Sequence, residues 1–452
     1  ALDDAYRVLL ASVSKQHQPT AAAEWLLDNF YLLEEQVAMV ERHLPRSFNR
    51  ELPRLLAGPF RGLPRVYALA VELITHVDGR LDEASVDCFI AAYQERSILG
   101  LGELWAFPIM LRMALIEVVR RVAERVAAAR IDRDRAHVWA ERFRLVADTN
   151  PGDLVLVLAQ LVQAETDLSD AFVSEFTRRT QASGQAQAMV SDWLEQRLAP
   201  RGGSIVLAVA SDGQLQADYQ MSISNAIGSL RDLAATDWRL FVERQSVVER
   251  RLAEDPADCY RHMDFASRDR YRHQIETIAR CAGRSEAEVT EMVVSRAAAA
   301  DADSRGRHVG WWLVGGGRRD MWRTAGAKSS FSEHALHLLT AMPLGWYLGA
   351  SLTLVGLTVV LVEAWLRGVG QPSGLALTMA LLMGLAAWGP VLACLDWLVT
   401  MLIPPRQLPR LDLRLGIGSL RRTAVAVPVM LTSAREVAAL ISNLEVRSLA
   451  NR

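Results

Sequence analysis

The sequence lacks most of the features that mark a catalytic or metal site. Its four cysteines, Cys88, Cys259, Cys281 and Cys394, are far apart and form no CxxC pair, so they give neither a zinc site nor a disulfide framework. It contains no P-loop, HExxH or GxSxG motif, and no closely spaced aspartate pair beside a predicted strand. We therefore predict no catalytic residue, no cofactor-binding residue and no metal ligand in this chain.

The sequence also has few lysines and a net charge close to zero. The 452 residues include two lysines, Lys15 and Lys328, and the net charge is −2. A chain without a basic excess is not suited as a whole to nucleic acid, and we predict no nucleic-acid partner. No signal peptide is recognisable at Ala1, and the sequence stops abruptly at Arg452. We expect both ends to be cuts in a longer polypeptide.

Charged residues are missing from two long apolar runs near the C-terminal end. The runs Leu338–Val362 and Val369–Leu395 contain no Asp, Glu, Lys or Arg, and Glu363–Gly368 separates them. A helix needs about 20 apolar residues to cross the hydrocarbon core of a bilayer. Buried helices of a soluble core, the alternative, are usually shorter. We predict a transmembrane hairpin at residues 335–403, in which the GxxxG pattern Gly345–Gly349 brings the two helices together.

Basic residues flank this hairpin on both sides. The residues before it are Arg318, Arg319, Arg323 and Lys328, and those after it are Arg406, Arg410, Arg414, Arg421 and Arg422. The connecting loop has only Arg367. Because basic flanks stay in the cytoplasm, we predict that both soluble parts are cytoplasmic. The tryptophans near or inside the first span are Trp311, Trp312, Trp322 and Trp346. We predict that they form an aromatic belt at the membrane surface.

The first 304 residues show the apolar spacing of α-helices. We predict helices at Val66–Val77, Glu103–Arg130 and Arg133–Asp148, among others, and a strand-like stretch at Ser204–Gln216. Asp78-Gly79 should end the first of these helices.

Short capping patterns predict where other helices begin. Asp255-Pro256 combines an N-cap residue with proline at the first helical position. Ser285–Glu288 and Ser433–Glu436 are capping boxes. Between the hairpin and the second box, Met401–Leu413 is predicted to lie along the headgroups, and Thr423–Val429 to form a buried strand. That strand and the capped helix behind it would be the opening βα unit of a doubly wound sheet.

Three further stretches are weaker candidates for a site. Gly315–Gly317 is a poor phosphate cradle, because charged residues follow it, and we interpret it as a flexible turn. The histidines His308, His334 and His337 are loosely spaced, and a metal site there is a remote alternative.

The stretch Tyr260–Arg272 is dense in charged and aromatic residues. One interpretation is a solvated helix face with i,i+4 ion pairs such as Asp264–Arg268. Our hypothesis is instead that Arg268 and Arg272 belong to a partly buried ion-pair cluster. This cluster would hold the helical region against the membrane-proximal or transferase part.

Six blocks spread over residues 21–452 carry a family resemblance. They are Ala23–Asn29; Arg42–Arg46 with Arg50–Pro53; Gly102–Ala106; Ser229–Arg231 with Asp237-Trp238; Met263–Arg272; and Val427–Ser433 with Leu444–Asn451. With these blocks in this order, the chain resembles the N-terminal portion of the cyclic β-1,2-glucan synthases, large inner-membrane glucosyltransferases. Met263–Arg272 and Val427–Asn451 are the most specific blocks.

The residue patterns, together with the resemblance, predict a mainly α fold with five parts. They are a cytoplasmic helical domain (1–304), a basic, Trp-rich membrane-proximal linker (305–334), the transmembrane hairpin (335–403), an interfacial linker (404–422) and the start of a truncated nucleotide-sugar (GT-A-like) α/β domain (423–452). The loop Pro428, Met430 and Thr432 would approach the nucleotide.

The resemblance also implies an activity for the parent protein. It would be a multi-pass enzyme of the bacterial inner membrane that polymerises glucose from UDP-glucose into β-1,2-glucan, with a divalent metal (Mg or Mn). Its catalytic residues would lie beyond Arg452, so the fragment alone is predicted to be inactive. Its partners would be membrane lipid, and UDP-glucose and the growing glucan through the downstream domains. The alternative is an independent membrane-tethered helical interaction or sensor module without enzymatic activity.

Overall fold

The computed structural model describes residues 1–14, 18–181, 184–302, 304–327, 343–402, 408–414 and 433–450. These residues are mainly helical, as the sequence predicts. Within them the β-type contacts are two isolated antiparallel bridges, Arg54 with Pro64 and Met263 with Leu411. The predicted strand Thr423–Val429 lies outside the described residues.

The helices follow one another with short connections. In chain order they are α1 (Leu2–Ser14), α2 (Ala21–Asp28), α3 (Phe30–His43), α4 (Arg46–Glu51), α5 (Arg65–His76), α6 (Glu83–Gln94), α7 (Leu101–Thr149), α8 (Leu154–Ala164), α9 (Asp170–Thr180), α10 (Gly184–Leu198), α11 (Ile205–Ala235), α12 (Trp238–Gln245), α13 (Val247–Leu252), α14 (Phe265–Ala282), α15 (Glu286–Ala298), α16 (Val309–Leu313), α17 (Arg318–Ala325), α18 (Pro343–Gly368), α19 (Ser373–Leu402) and α20 (Ala434–Ala450).

The chain divides into two compact units. The first comprises Ala1–Ala257 and Arg272–Ser329, and the second comprises Asp258–Tyr271 and Ser330–Arg452. The long helix α7 is the axis of the first unit: at 1.5 Å per residue it is about 74 Å long, and α1, α3, α5, α9 and α11 pack along it.

Two apolar cores lie along α7. The first surrounds Phe107 and Leu111 in its N-terminal half and includes Leu33 of α3 and Ile227 of α11. The second surrounds Phe143 in its C-terminal half and is built with α8, α9 and α10. A helix that is buried over its length by successive neighbours needs no single apolar stripe, because each turn contacts a different partner.

The helix α7 corrects one prediction. The sequence predicted two helices that end and begin around residues 130–133, whereas the structure has one helix through this point. Arg130 pairs with Asp134 on the next turn. Arg133 forms a 2.6 Å ion pair with Asp212 of α11, and both side chains are almost fully buried. Both arginines at the predicted break are thus paired through their side chains within a continuous helix.

The stretch Ser204–Gln216 corrects another, because it forms the first turns of α11 and not a strand. Its β-branched residues suggested a strand. However, Ser204 caps the helix by accepting a hydrogen bond from the Leu207 amide at 3.2 Å. Ala208 and Asp212, four residues apart on one helical face, are both buried.

Local capping signals succeeded where the contact is made within a few residues. Helix α5 ends at His76, followed by Asp78 and Gly79 with positive φ. The Ser285–Glu288 capping box forms with both of its hydrogen bonds. Asp255-Pro256 is the exception, since no α-helix begins there. The Asp255 carboxylate instead accepts from the Val309 amide at 3.1 Å, at the start of α16.

Candidate functional site

Helices α18 and α19 form an antiparallel hairpin of membrane dimensions. Their apolar stretches Leu344–Gly368 and Ser373–Met401 are long enough to cross a bilayer, and few of their side chains are buried. The turn between them is a Schellman motif: the Gly370 amide donates to Arg367, the Gln371 amide donates to Leu366, and Gly370 has φ +86°. Such wide exposure differs from the buried helices of a soluble core.

Small residues line the contact between the two helices. Ala376, Ala380 and Ser351 are fully buried in an otherwise exposed hairpin. Gly384 continues the four-residue spacing of the two alanines, and a Cβ there would overlap the Val359 side chain. Close backbone approach at small residues is how helices associate in the absence of a hydrophobic driving force. The predicted GxxxG contact is wrong, because no heavy atom lies within 4 Å of a Cβ built at Gly349.

Polar side-chain contacts lie at both ends of the hairpin. At the open end the Tyr347 hydroxyl donates to Asp396 Oδ1 at 2.8 Å, which joins the first helix to the second. At the turn end Arg367 pairs with Glu363 on its own helix. Polar groups near helix termini can reach the interfacial region, so these contacts suit a spanning hairpin.

The segment behind the hairpin is held by backbone hydrogen bonds to the start of α14, within the second unit. The Asp264 amide donates to the Arg410 carbonyl at 2.9 Å, and the Asp412 amide donates to the His262 carbonyl at 2.8 Å. These bonds flank the bridge between Met263 and Leu411. The stretch Met263–Arg272, one of the two most specific family blocks, therefore contacts the segment predicted to lie along the headgroups. We call this arrangement the 263–411 clamp.

Charge pairing also occurs within the segment behind the hairpin. The Arg414 guanidinium donates to both carboxylate oxygens of Asp412, from Nη2 to Oδ2 at 2.6 Å and from Nε to Oδ1 at 3.0 Å. These hydrogen bonds lower the pKa of Asp412 to about 2, and the nearby positive charge of Arg268 adds to the effect.

Arg272 lies in the first unit and is fully buried. Its Nη1 is 2.7 Å from Glu249 Oε2 and 3.6 Å from Glu243 Oε1, carboxylates of α13 and α12. The part of our hypothesis that places Arg272 in a buried ion-pair cluster is thus confirmed. Both carboxylates belong to the helical region itself, so these ion pairs do not dock that region against another part of the chain. The cluster joins α12, α13 and α14. Because its charges are desolvated, removal of one would leave the opposite charge buried without compensation.

Gly315–Gly317 forms a turn, as predicted, and two tryptophan rings pack against it. A Cβ on Gly316 would lie 2.7 Å from the Trp311 ring, and one on Gly317 would lie 2.7 Å from the Trp312 ring. Trp312 also donates through Nε1 to the Gly306 carbonyl at 2.8 Å. The aromatic-belt prediction is wrong for Trp322, which is buried. Trp346, in α18, is about half exposed.

The remote alternative of a metal site at the three histidines finds no support in the described residues. His308 Nδ1 lies 2.7 Å from Asp255 Oδ2, a buried carboxylate beside the start of α16. His334 and His337 lie outside the described residues. Across the described ranges no group of three His, Cys, Asp or Glu side chains could hold a metal ion.

The predicted nucleotide loop, Pro428, Met430 and Thr432, also lies outside the described residues. The helix behind it is present: α20 begins at Ala434, and the Glu436 amide donates to Ser433 Oγ at 3.3 Å. This is the N-terminal half of the predicted capping box. The proposed βα unit is therefore described only through its helix.

A cavity of about 180 Å³ lies beside α7 in the first unit, with both apolar and polar residues in its lining. The Arg133–Asp212 ion pair forms part of its wall, and Gln216 donates to Asp212 Oδ2 at 2.8 Å. Opposite, Ser169 Oγ donates to Asp132 at 2.5 Å. Each of these polar groups already has a partner in the protein, so the wall is a structural network and not an arrangement of catalytic groups.

Together these features define a class: a helical protein that carries a hairpin of two membrane-length helices, with the chain behind the hairpin clamped to a helix start. No family model matches the sequence. An alignment 455 residues long, which covers 99% of this chain, shows 33% identity to the cyclic beta-(1,2)-glucan synthase NdvB of Rhizobium meliloti (strain 1021). The family assignment made from the sequence blocks, to the cyclic β-1,2-glucan synthases, is confirmed. The chain spans 16% of the length of this relative.

Proposed function

We propose that this chain is the scaffold and membrane-anchor portion of a cyclic β-1,2-glucan synthase. The observation that carries the proposal is the similarity to the Rhizobium meliloti synthase along 99% of the chain. The two exposed apolar helices supply the anchor. The helical unit and the clamp would hold the transferase that follows.

The finer parts of the proposal concern the chemistry of the whole protein. It would take glucose from UDP-glucose with the help of a divalent metal, Mg or Mn, and extend a β-1,2-glucan at the bacterial inner membrane. Residues 423–452 would open the nucleotide-sugar domain, with Pro428, Met430 and Thr432 near the nucleotide. This assignment is supported by the family resemblance and by the capped helix α20.

A chimaera tests the proposal. The matching portion of the Rhizobium meliloti synthase is replaced by this chain, and cyclic β-(1,2)-glucan in cell extracts is measured by chromatography and NMR. We expect glucan to be made, and we expect a second chimaera that lacks Pro343–Leu402 to make none. Loss of product from the first chimaera, with normal protein levels in the membrane fraction, would argue for the independent-module alternative.

The proposed topology has its own test. We place both soluble parts in the cytoplasm because basic residues flank the hairpin and the loop carries only Arg367. An alkaline phosphatase fusion after Ala300 should be inactive, and a fusion at Arg367 should be active. An active fusion after Ala300 would invert the orientation.

A further inference from the structure

A cavity of about 110 Å³ lies at the 263–411 clamp, between the first turns of α14 and the segment Leu408–Arg410. Two of its lining side chains, Arg270 and Arg410, carry guanidinium groups, and Asp264 is the carboxylate of its wall. Ser267 and Tyr271 complete its polar lining. We call this space the juxtamembrane cavity.

Backbone contacts fix the shape of the juxtamembrane cavity. The Arg410 amide donates to Ser267 Oγ at 2.9 Å, and the Asp264 amide donates to the Arg410 carbonyl at 2.9 Å. The Asp264 carboxylate is engaged as a helix cap, since its Oδ1 accepts from the Ser267 amide at 2.9 Å. The two arginines are therefore presented by backbone that is already hydrogen-bonded.

The charge of the wall suits a monoanion. Two guanidinium groups and one carboxylate give the lining a net charge of +1. Guanidinium groups bind phosphate oxygens well, because their N–H donors match the oxygen geometry and because they are less strongly hydrated than ammonium groups. A phosphodiester carries one negative charge and two free oxygens, so it can accept hydrogen bonds from more than one guanidinium N–H.

The position of the cavity selects the source of that phosphodiester. Helix α19 ends at Leu402, shortly before Leu408, and Leu408 is 78% exposed beside the cavity. Leu411 and Leu413 of the same segment are also exposed. Arginines next to exposed leucines, directly behind a membrane-length helix, are typical of a segment that contacts headgroups and the outer acyl chains together.

We propose that the juxtamembrane cavity binds the phosphodiester of an anionic phospholipid through Arg270 and Arg410. This inference rests on the proposed membrane anchoring of the chain. The bound lipid would tie the segment behind the hairpin to the start of α14, because Arg410 belongs to the segment and Arg270 to the helix. Membrane composition would then act on the link between the anchor and the transferase.

The test uses the full chain, extracted from membranes in detergent and titrated with phosphatidylglycerol or phosphatidylcholine under native mass spectrometry. We expect the wild-type chain to retain phosphatidylglycerol about tenfold more strongly than phosphatidylcholine, and R270Q/R410Q to lose this preference. R414Q is the matched control: Arg414 lies on the same segment, is 82% exposed and is outside the cavity lining. It should keep the preference.

Two measurements keep the result interpretable if the double variant folds poorly. R410K retains the charge and should keep most of the preference. In the wild-type chain, phosphatidylglycerol should slow hydrogen exchange at the Asp264 and Arg410 amides. The lipid source is overturned if millimolar inorganic phosphate displaces phosphatidylglycerol completely.

The remaining outcomes separate the two proposals. One outcome overturns the lipid-binding proposal alone. In it, the wild-type, R270Q/R410Q and R414Q chains retain lipid equally, and the wild-type chain stays in the membrane fraction after a carbonate wash. Recovery of the wild-type chain in the soluble fraction overturns the anchoring proposal and with it this inference.

Discussion

Arg272 and Arg280 lie two turns apart on α14 and differ in their surroundings. Arg272 is fully buried between Glu243 and Glu249, whereas Arg280 pairs at 2.9 Å with Glu51 where both side chains are more than half exposed. An exposed pair gains little, because water and salt screen its attraction. A buried pair is costly to break, because the remaining charge stays desolvated.

The first prediction uses this contrast. R272A should lower the free energy of unfolding by about 3–5 kcal/mol, since it leaves the Glu243 and Glu249 carboxylates without the guanidinium between them. R280A should lower it by at most about 1 kcal/mol. Urea denaturation of the detergent-solubilised chain, followed by circular dichroism, measures both. Equal stability of the two variants would return this stretch to a solvated helix face.

Glu286, the first residue of α15, is a partly buried carboxyl that lies against the start of the long helix α7. It accepts from the Leu101 amide at 2.9 Å. Burial, together with the negative charges of Glu276 and Glu103, raises the pKa of Glu286 to about 7, although the Leu101 hydrogen bond and the charge of His273 act in the opposite direction. Folding therefore favours the protonated form of this carboxyl.

The second prediction follows from the sign of that shift. Because the pKa of Glu286 is raised in the folded chain, its contribution to stability is present below about pH 4.5 and is lost as the pH rises through about 7. The loss is of the order of 3 kcal/mol. E286Q keeps a side-chain acceptor without the charge. It should unfold at a higher temperature than wild type at pH 8 and at a similar temperature at pH 5. Thermal melts with parallel pH profiles would contradict this assignment.

At the scale of the element, the hairpin shows which small residues matter. Ala376, Ala380 and Gly384 face α18 at four-residue spacing, and a Cβ on Gly384 would overlap Val359. Gly389, on the same helix, has no heavy atom within 4 Å of a built Cβ. Whether a glycine takes part in the contact between the two helices therefore depends on its position along α19.

The third prediction is that G384V separates α18 from α19, while G389V does not. Overpacking a helix contact costs about 1–3 kcal/mol, because neither backbone can yield without losing its other contacts. Titration of the detergent-solubilised chain with SDS, followed by tryptophan fluorescence, should show unfolding of G384V at a lower SDS fraction than wild type. A G384V curve that overlays the wild-type curve would show that the helices do not meet at this glycine.

At the scale of the whole molecule, the chain has a hairpin of two membrane-length helices and a helical unit, and it spans 16% of the length of its relative. The fourth prediction is that the purified chain makes no glucan from labelled UDP-glucose. The reason is that its sequence has no paired aspartates beside a predicted strand. The assay measures polymer by scintillation counting after gel filtration. Time-dependent polymer, absent when UDP-glucose is replaced by free glucose, would place an active site within these residues.

The sequence by itself determined the features that depend on neighbours along the chain. The absence of charge over Leu338–Val362 and Val369–Leu395 predicts two membrane-length helices. This prediction does not depend on tertiary contacts, because each residue makes its own contribution to the free energy of membrane insertion. The Ser285–Glu288 capping box and the Asp78-Gly79 stop succeeded for the same reason: their hydrogen bonds and backbone angles are local.

Tertiary structure decided what depends on distant partners. The continuity of α7 and the helical state of Ser204–Gln216 involve the ion pair between Arg133 and Asp212, which are far apart in sequence. The 263–411 clamp likewise joins residues from both sides of the hairpin through backbone hydrogen bonds, which carry no side-chain signature. The choice of Gly384 over Gly349 as the contact glycine depends on the rotation of one helix against the other. Composition alone does not fix that rotation, because small residues lie on several helix faces.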